Sequence, residues 1–167
     1  MILVIGPGKC PMCGENGREV HPFTIRSMLK DEWLSDILHD KYFFCANPDC
    51  ETVYYSGSGK SAFQKDQLKI RVGLKEKTSQ RTLCYCFGYT MEDIEREIRE
   101  NRRNTIPKDI SSKIESGLCH CEDANPEGRC CLGNVALALR DGLRCYGANK
   151  ADQTDKILPT NNCCELE

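Results

Sequence analysis

Cysteine spacing constrains this 167-residue chain more than any other feature: ten of its thirteen cysteines gather into two sets, each with metal-site spacing. The first set is Cys10-Pro11-Met12-Cys13 followed by Cys45-Ala46-Asn47-Pro48-Asp49-Cys50. The second is Cys84-Tyr85-Cys86, then Cys119-His120-Cys121 and the vicinal pair Cys130-Cys131. A chain of this length holds one ordinary domain or two small ones, and small domains bury too little surface to be stable on packing alone. Metal crosslinks are the usual remedy, and the thiols here can supply them.

A secreted disulfide scaffold is the competing reading of so many cysteines. The chain's start, Met1-Ile2-Leu3-Val4-Ile5-Gly6, has no basic stretch and too short an apolar run for a signal peptide. The cysteines bunch as C-x-C and C-C pairs, poorly placed to close long loops, and their number is odd. Metal ligation is therefore expected, in a reducing cytoplasm. No stretch is long and apolar enough to span a bilayer, so no membrane insertion is expected. The formal net charge of −2 exerts no global pull toward nucleic acid. Between Lys60 and Arg81 the lysines and Arg71 outnumber Asp66 and Glu76. That run reads as a solvated strand face in preference to a docking patch for an acidic partner or nucleic acid.

The expected fold class is α+β, a small zinc-ribbon-like α+β domain followed by a small helical domain. Residues 1–82 form the first. Within it His21–Ile25 reads as a strand, and Ser27 as the cap of a helix carrying Leu29, Trp33, Ile37 and Leu38. Tyr42–Phe44 and Thr52–Tyr55 read as strands, Ser56–Gly59 as a turn, and Phe63 with Leu68, Ile70 and Val72 as a further strand. Leu74–Thr82 is a polar linker. In the second domain, residues 83–143, Thr90 with Asp93 caps a helix bearing Met91, Ile94 and Ile98. Pro107 opens a helix that Gly117 ends, and a third helix runs from about Leu132 to Gly142. Residues 144–167 read as a loose polar tail holding Cys145, Cys163 and Cys164.

Zinc takes four thiolates or imidazoles in a tetrahedron, and C-x2-C with C-x4-C, 31 residues apart, supplies them. Cys10, Cys13, Cys45 and Cys50 are the expected zinc ligands, with His21 and His39 as substitutes. A thioredoxin-like redox pair at Cys10/Cys13 needs a helix start immediately after it, and Gly14-Glu15-Asn16-Gly17 is a poor one.

The second set reads as an iron–sulfur site, since such clusters take four thiolates. The C-x-C followed by a capped helix, with return cysteines after a second helix, resembles the bacterioferritin-associated ferredoxin [2Fe–2S] domain. Together, Cys84-Tyr85-Cys86-Phe87-Gly88-Tyr89-Thr90, Asn125-Pro126-Glu127-Gly128-Arg129-Cys130-Cys131, Arg71-Val72-Gly73-Leu74-Lys75 and the upstream zinc-type pairs resemble the N-terminal region of CopZ-type copper chaperones, over roughly residues 8–143. The resemblance implies a zinc domain joined to a [2Fe–2S] domain and a role in copper handling. Carried over by position, it implies Cys84, Cys86, Cys121 and Cys131 as cluster ligands, with Cys119 and Cys130 as alternates. His120 as a Rieske-type ligand is disfavoured, because no second histidine accompanies it.

Members of that family also carry a heavy-metal-associated βαββαβ unit with its own C-x-x-C. The 24 residues after Leu143 are too few for one, and the carrier module is expected to be missing from this chain. The resemblance implies partners: a copper-transporting ATPase, a carrier domain, or an electron donor. Cu(I) is a further expected ligand, because thiolates prefer it, with Cys163 and Cys164 as accessory donors. A ferredoxin-like or redox-sensing module with no copper role is the alternative. Independent catalysis is not expected: Gly57-Ser58-Gly59-Lys60-Ser61 ends like a phosphate loop, but Tyr54 stands where its first glycine belongs.

Overall fold

Alternation along Tyr42-Phe43-Phe44 divides the first half of the chain into two environments, because successive strand residues point to opposite faces. The computed structural model describes residues 8–101 and 104–146. They fall into two units: the chain up to Lys77 together with Glu122–Gly128, and Thr78–Cys121 together with the chain from Arg129 on. No helix among the described residues is long and apolar enough to cross a membrane.

The first unit is an antiparallel sheet of β1 (Arg18–Val20), β2 (Tyr42–Phe44), β3 (Thr52–Ser56) and β4 (Ala62–Gln64), in that spatial order. Tyr42 pairs with Ser56, and Phe44 with Tyr54. Tyr42, Phe44, Tyr54 and Phe63 pack with Val20, Ile25, Met28, Leu29 and Val53 into one core. Phe43 and Tyr55 turn the other way, stack on each other, and pack against Cys10, Cys13, Cys45 and Cys50. One strand pair thus lines the apolar core with one face and the cysteine cluster with the other.

Three local readings are overturned here. His21–Ile25 is not a strand, since α1 spans Pro22–Met28. Pro22 suits the first helical turn, where its missing N–H costs nothing, and His21 Nδ1 accepts the Phe23 N–H at 3.2 Å as the cap. Ser27 lies inside that helix, its hydroxyl donating to the Phe23 carbonyl. Trp33 belongs to a separate 3₁₀ helix, Asp31–Asp36. Leu68–Val72 does not continue the sheet either. Leu68 makes a single bridge to Leu29, and the chain then enters a 3₁₀ turn at Gly73–Lys75. Buried Leu68 and Val72 with exposed Ile70 imitate a strand's period without its ladder.

The segment Glu122–Gly128 is held in the first unit by specific contacts. The buried Tyr54 hydroxyl donates to the Pro126 carbonyl at 2.6 Å, and Arg18 pairs with the buried Glu127 carboxylate at 3.2 Å. Asn125 shapes the turn, its side-chain oxygen accepting the Glu127 N–H and its carbonyl the Gly128 N–H.

The second unit opens with a hairpin of β5 (Thr82–Cys84) and β6 (Tyr89–Thr90), and is otherwise helical. In α2 (Met91–Asn101) the Thr90 hydroxyl accepts the Asp93 N–H, and the Asp93 carboxylate accepts the Thr90 N–H and O–H. The helix α3 spans Ile106–Glu115 and α5 spans Leu132–Tyr146, while of the short turn α4 (Cys121–Ala124) only Cys121 falls in this unit. Leu83, Ile94, Ile98, Ile106, Ile110, Val135 and Ala138 form the core, which also takes in Cys84 and Cys131. Gly142 does not end α5. A Cβ there would lie 2.9 Å from Ile98 Cδ1, so this glycine permits close packing inside a continuing helix. Arg144 is helical too, while Cys163 and Cys164 lie outside the described residues.

Candidate metal centres

The first centre grows from two loops braced by the sheet. In the Cys10 loop, the Cys10 N–H donates to the Glu15 carbonyl and the Gly14 N–H returns to the Cys10 carbonyl, with Gly14 at φ 76°. No helix follows Cys13, so the thioredoxin arrangement is absent from this loop. In the Cys45 loop, which leaves β2, the Cys45 N–H donates to Val53 and the Cys50 N–H to the Asn47 carbonyl. Asn47 Nδ2 donates to Glu15 Oε1 at 2.8 Å, tying one loop to the other.

The four sulfurs lie within 4.8 Å of one another, Cys10 to Cys50 at 3.9 Å and Cys13 to Cys45 at 3.6 Å. A zinc–sulfur bond of about 2.3 Å gives a tetrahedral sulfur–sulfur edge of about 3.8 Å, so the cage fits zinc. Neither His21 nor His39 belongs to it. Burial pushes the Cys10 thiol up, but hydrogen bonds from the N–H groups of Cys13 and Met12 and from the Cys13 and Cys45 thiols together hold it below its ordinary value. Burial raises Cys45 and Cys50, against a lowering pull on Cys45 from the Lys75 ammonium. The Tyr55 phenol is pushed up to about 12 by burial and by the neighbouring sulfurs.

The second centre gathers thiols from the β5–β6 hairpin, the start of α4 and the approach to α5. Cys86, Cys119 and Cys121 form a trio, Cys121 lying 3.5 Å from Cys86 and 3.2 Å from Cys119. The backbone N–H of His120 donates to the Cys86 sulfur at 3.4 Å. Cys131 hydrogen-bonds Cys84, which lowers the Cys84 thiol, while Cys121, Cys130 and Cys84 together raise Cys131. Cys130 and Cys119 raise Cys121 in the same way. Six thiols therefore share one network. Cys84, Cys121 and Cys131 are buried, and Cys86, Cys119 and Cys130 half-buried. Four thiolates are what a [2Fe–2S] cluster takes, so the donor set is chemically suited to one. The trio contains Cys119, and no histidine belongs to it. Cys145 falls within α5.

The basic run disperses on folding. Lys65 pairs with Glu51, Lys69 with Asp31 and Lys77 with Asp49, while Lys75 is 4% exposed. It is neither a strand face nor an open cationic patch. Gly57–Lys60 is a hairpin turn, with the Ser56 N–H donating to Ser61 and Gly59 at φ 71°. Lys75 instead reaches the first centre, its Nζ donating to the Asn47 and Cys50 carbonyls. Its proximity to Arg71-Val72-Gly73-Leu74 in sequence says nothing of the cysteine loop it touches.

Comparison with known proteins agrees with this geometry. The CopZ zinc-binding domain family matches residues 7–69, which contain all four cysteines of the first centre. The copper chaperone CopZ of Archaeoglobus fulgidus is 33% identical over 159 residues, covering 86% of this chain and 75% of that protein. The X-ray structure of the CopZ N-terminal domain from the same organism superposes with a TM-score of 0.65 at 29% identity, covering 77% of this chain and 95% of that one.

Proposed function

The chain belongs to the CopZ copper-chaperone family, and from that premise we propose that it is a zinc and iron–sulfur protein of intracellular copper handling. The observation that carries this reading is the contrast between two thiol cages: one with a complete tetrahedral set, the other with more thiols than a cluster needs. Cys10, Cys13, Cys45 and Cys50 hold zinc, a metal without redox chemistry, and brace the first unit. Cys84, Cys86, Cys121 and Cys131 are the proposed cluster ligands. A [2Fe–2S] cluster bound there supplies a one-electron couple, matching the single electron that separates Cu(II) from Cu(I).

The chain's own residues prepare that centre. Cys84 and Cys131 are embedded in the apolar core, which keeps water from those sulfurs. Half-buried Cys86 and the exposed His120 beside it leave the opposite side open to an approaching ion or partner. The His120 N–H directed at Cys86 stabilises negative charge on that sulfur. Thiolate ligands suit Cu(I), which makes the surplus thiols fitting acceptors for the reduced ion. A copper-transporting ATPase, a carrier domain or an electron donor is the proposed partner, in a reducing cytoplasm.

Anaerobic purification with metal and acid-labile sulfide analysis tests this directly, with about one zinc, two irons and two sulfides expected per chain. The chemically reduced, desalted protein should then convert added Cu(II) to Cu(I), read with a Cu(I)-specific chromophore. Iron-free protein after reconstitution would overturn the cluster reading. Cluster-loaded protein that leaves Cu(II) untouched would overturn the copper reading alone.

A further inference from the structure

A buried lysine needs compensation, because removing an ammonium from water is costly unless charge or hydrogen bonds replace the solvent. Lys75 is 4% exposed and makes no ion pair with a carboxylate among the described residues. Its Nζ donates instead to the Asn47 carbonyl at 2.7 Å and to the Cys50 carbonyl at 3.0 Å. Both acceptors belong to the Cys45–Cys50 loop, and the Asn47 carbonyl is also the one that takes the Cys50 N–H. The lysine therefore grips the middle and the end of the loop that presents two of the four sulfurs. Four thiolates around one divalent zinc carry a net charge of about −2, and this ammonium is placed against that charge. The neighbouring lysine differs: Lys77 is largely exposed and pairs with Asp49 on the outside of the same loop.

We propose that Lys75 is a positioning residue of the zinc centre, clamping the Cys45–Cys50 loop through the carbonyls of Asn47 and Cys50 and supplying one positive charge against the anionic four-thiolate site. The inference rests on zinc occupancy of Cys10, Cys13, Cys45 and Cys50. It assigns a role to a side chain that touches no metal and that the sequence presents as one more charge in a basic run.

The test is zinc affinity of the full chain, measured anaerobically by competition with a chromophoric chelator, with cobalt(II) substitution as an optical report on the tetrahedron. Lys75→Met is expected to weaken zinc binding about 10- to 100-fold, the usual effect of losing an outer-sphere partner. Lys75→Gln, which keeps a donor but not the charge, should fall between Lys75→Met and wild type. Lys77→Met should stay within about twofold of wild type, as expected for an exposed ion pair. The cobalt spectrum of Lys75→Met should also shift as the Cys45 and Cys50 sulfurs lose their fixed orientation. Wild-type affinity and an unchanged cobalt spectrum in Lys75→Met would overturn the proposal. If Lys75→Met does not fold, wild-type affinity in Lys75→Gln does so. A wild-type chain that takes up no zinc fails the zinc assignment itself, a result distinct from either.

Discussion

The two candidate metal centres offer the same ligand chemistry under opposite constraints. In the first, four thiols face four positions, and each loop is tied down by backbone hydrogen bonds, by Asn47 to Glu15 and by Lys75. In the second, six thiols crowd one network where the proposed cluster would take four, and the trio of Cys86, Cys119 and Cys121 includes one thiol beyond the proposed ligands. A complete tetrahedron with no spare donor suits a structural ion. Surplus donors beside a half-open edge suit a centre that exchanges electrons or cargo.

The sharpest way to break this contrast is to delete one donor from each centre. Cys45→Ser should abolish tight zinc binding and unfold the sheet unit, since a structural zinc supplies about 10–16 kcal/mol of apparent binding free energy that doubles as folding energy. Metal analysis and far-UV circular dichroism read this together. At the second centre, Cys121→Ala should remove iron and labile sulfide, while Cys119→Ala should leave both and keep the visible spectrum. Retention of the cluster in Cys121→Ala with its loss in Cys119→Ala would exchange their roles.

Smaller changes sharpen the comparison by loosening the frame around the first centre. Gly17 has no room for a side chain: a Cβ would lie 2.1 Å from the Tyr55 hydroxyl and 2.9 Å from the Phe44 carbonyl. Gly17→Ala should cost about 3 kcal/mol, the upper range of overpacking, because one of the clashing atoms is backbone. Denaturant unfolding of the zinc-loaded protein measures it. Tyr54→Phe removes the donor to the Pro126 carbonyl, leaving a buried acceptor unpaired at a cost of about 1 kcal/mol or slightly more. Hydrogen exchange at the Glu127 and Gly128 amides should rise with it. Unchanged exchange would show that Arg18 and Glu127 hold the segment without Tyr54.

The relation between sequence and structure differs element by element. Thr90 and Asp93 announced α2 because a capping box is local, complete within four residues. Tyr42–Phe44 and Thr52–Tyr55 were legible as strands because aromatic and β-branched runs ended at turn residues, and the second strand runs one residue further, to Ser56. His21–Ile25 was misread because five mixed residues fit a strand or a helix equally well, and the choice fell to Pro22 and the His21 side chain. Leu68–Val72 carried an alternating pattern, yet no neighbouring strand was there to pair with it. Gly142 looked like a helix stop, but its small size serves Ile98 across the packing interface.

By itself the sequence determined the chemistry: cysteine pairs one to five positions apart bring sulfurs together through short covalent loops, whatever the rest of the chain does. Only the tertiary structure decided how those pairs combine, because the partner loops lie more than thirty residues away and meet through strand register and helix packing. It also decided the fate of the charges. Lys75 and Lys77 are two positions apart on one chain, and folding sends one beneath the zinc loop and leaves the other in water.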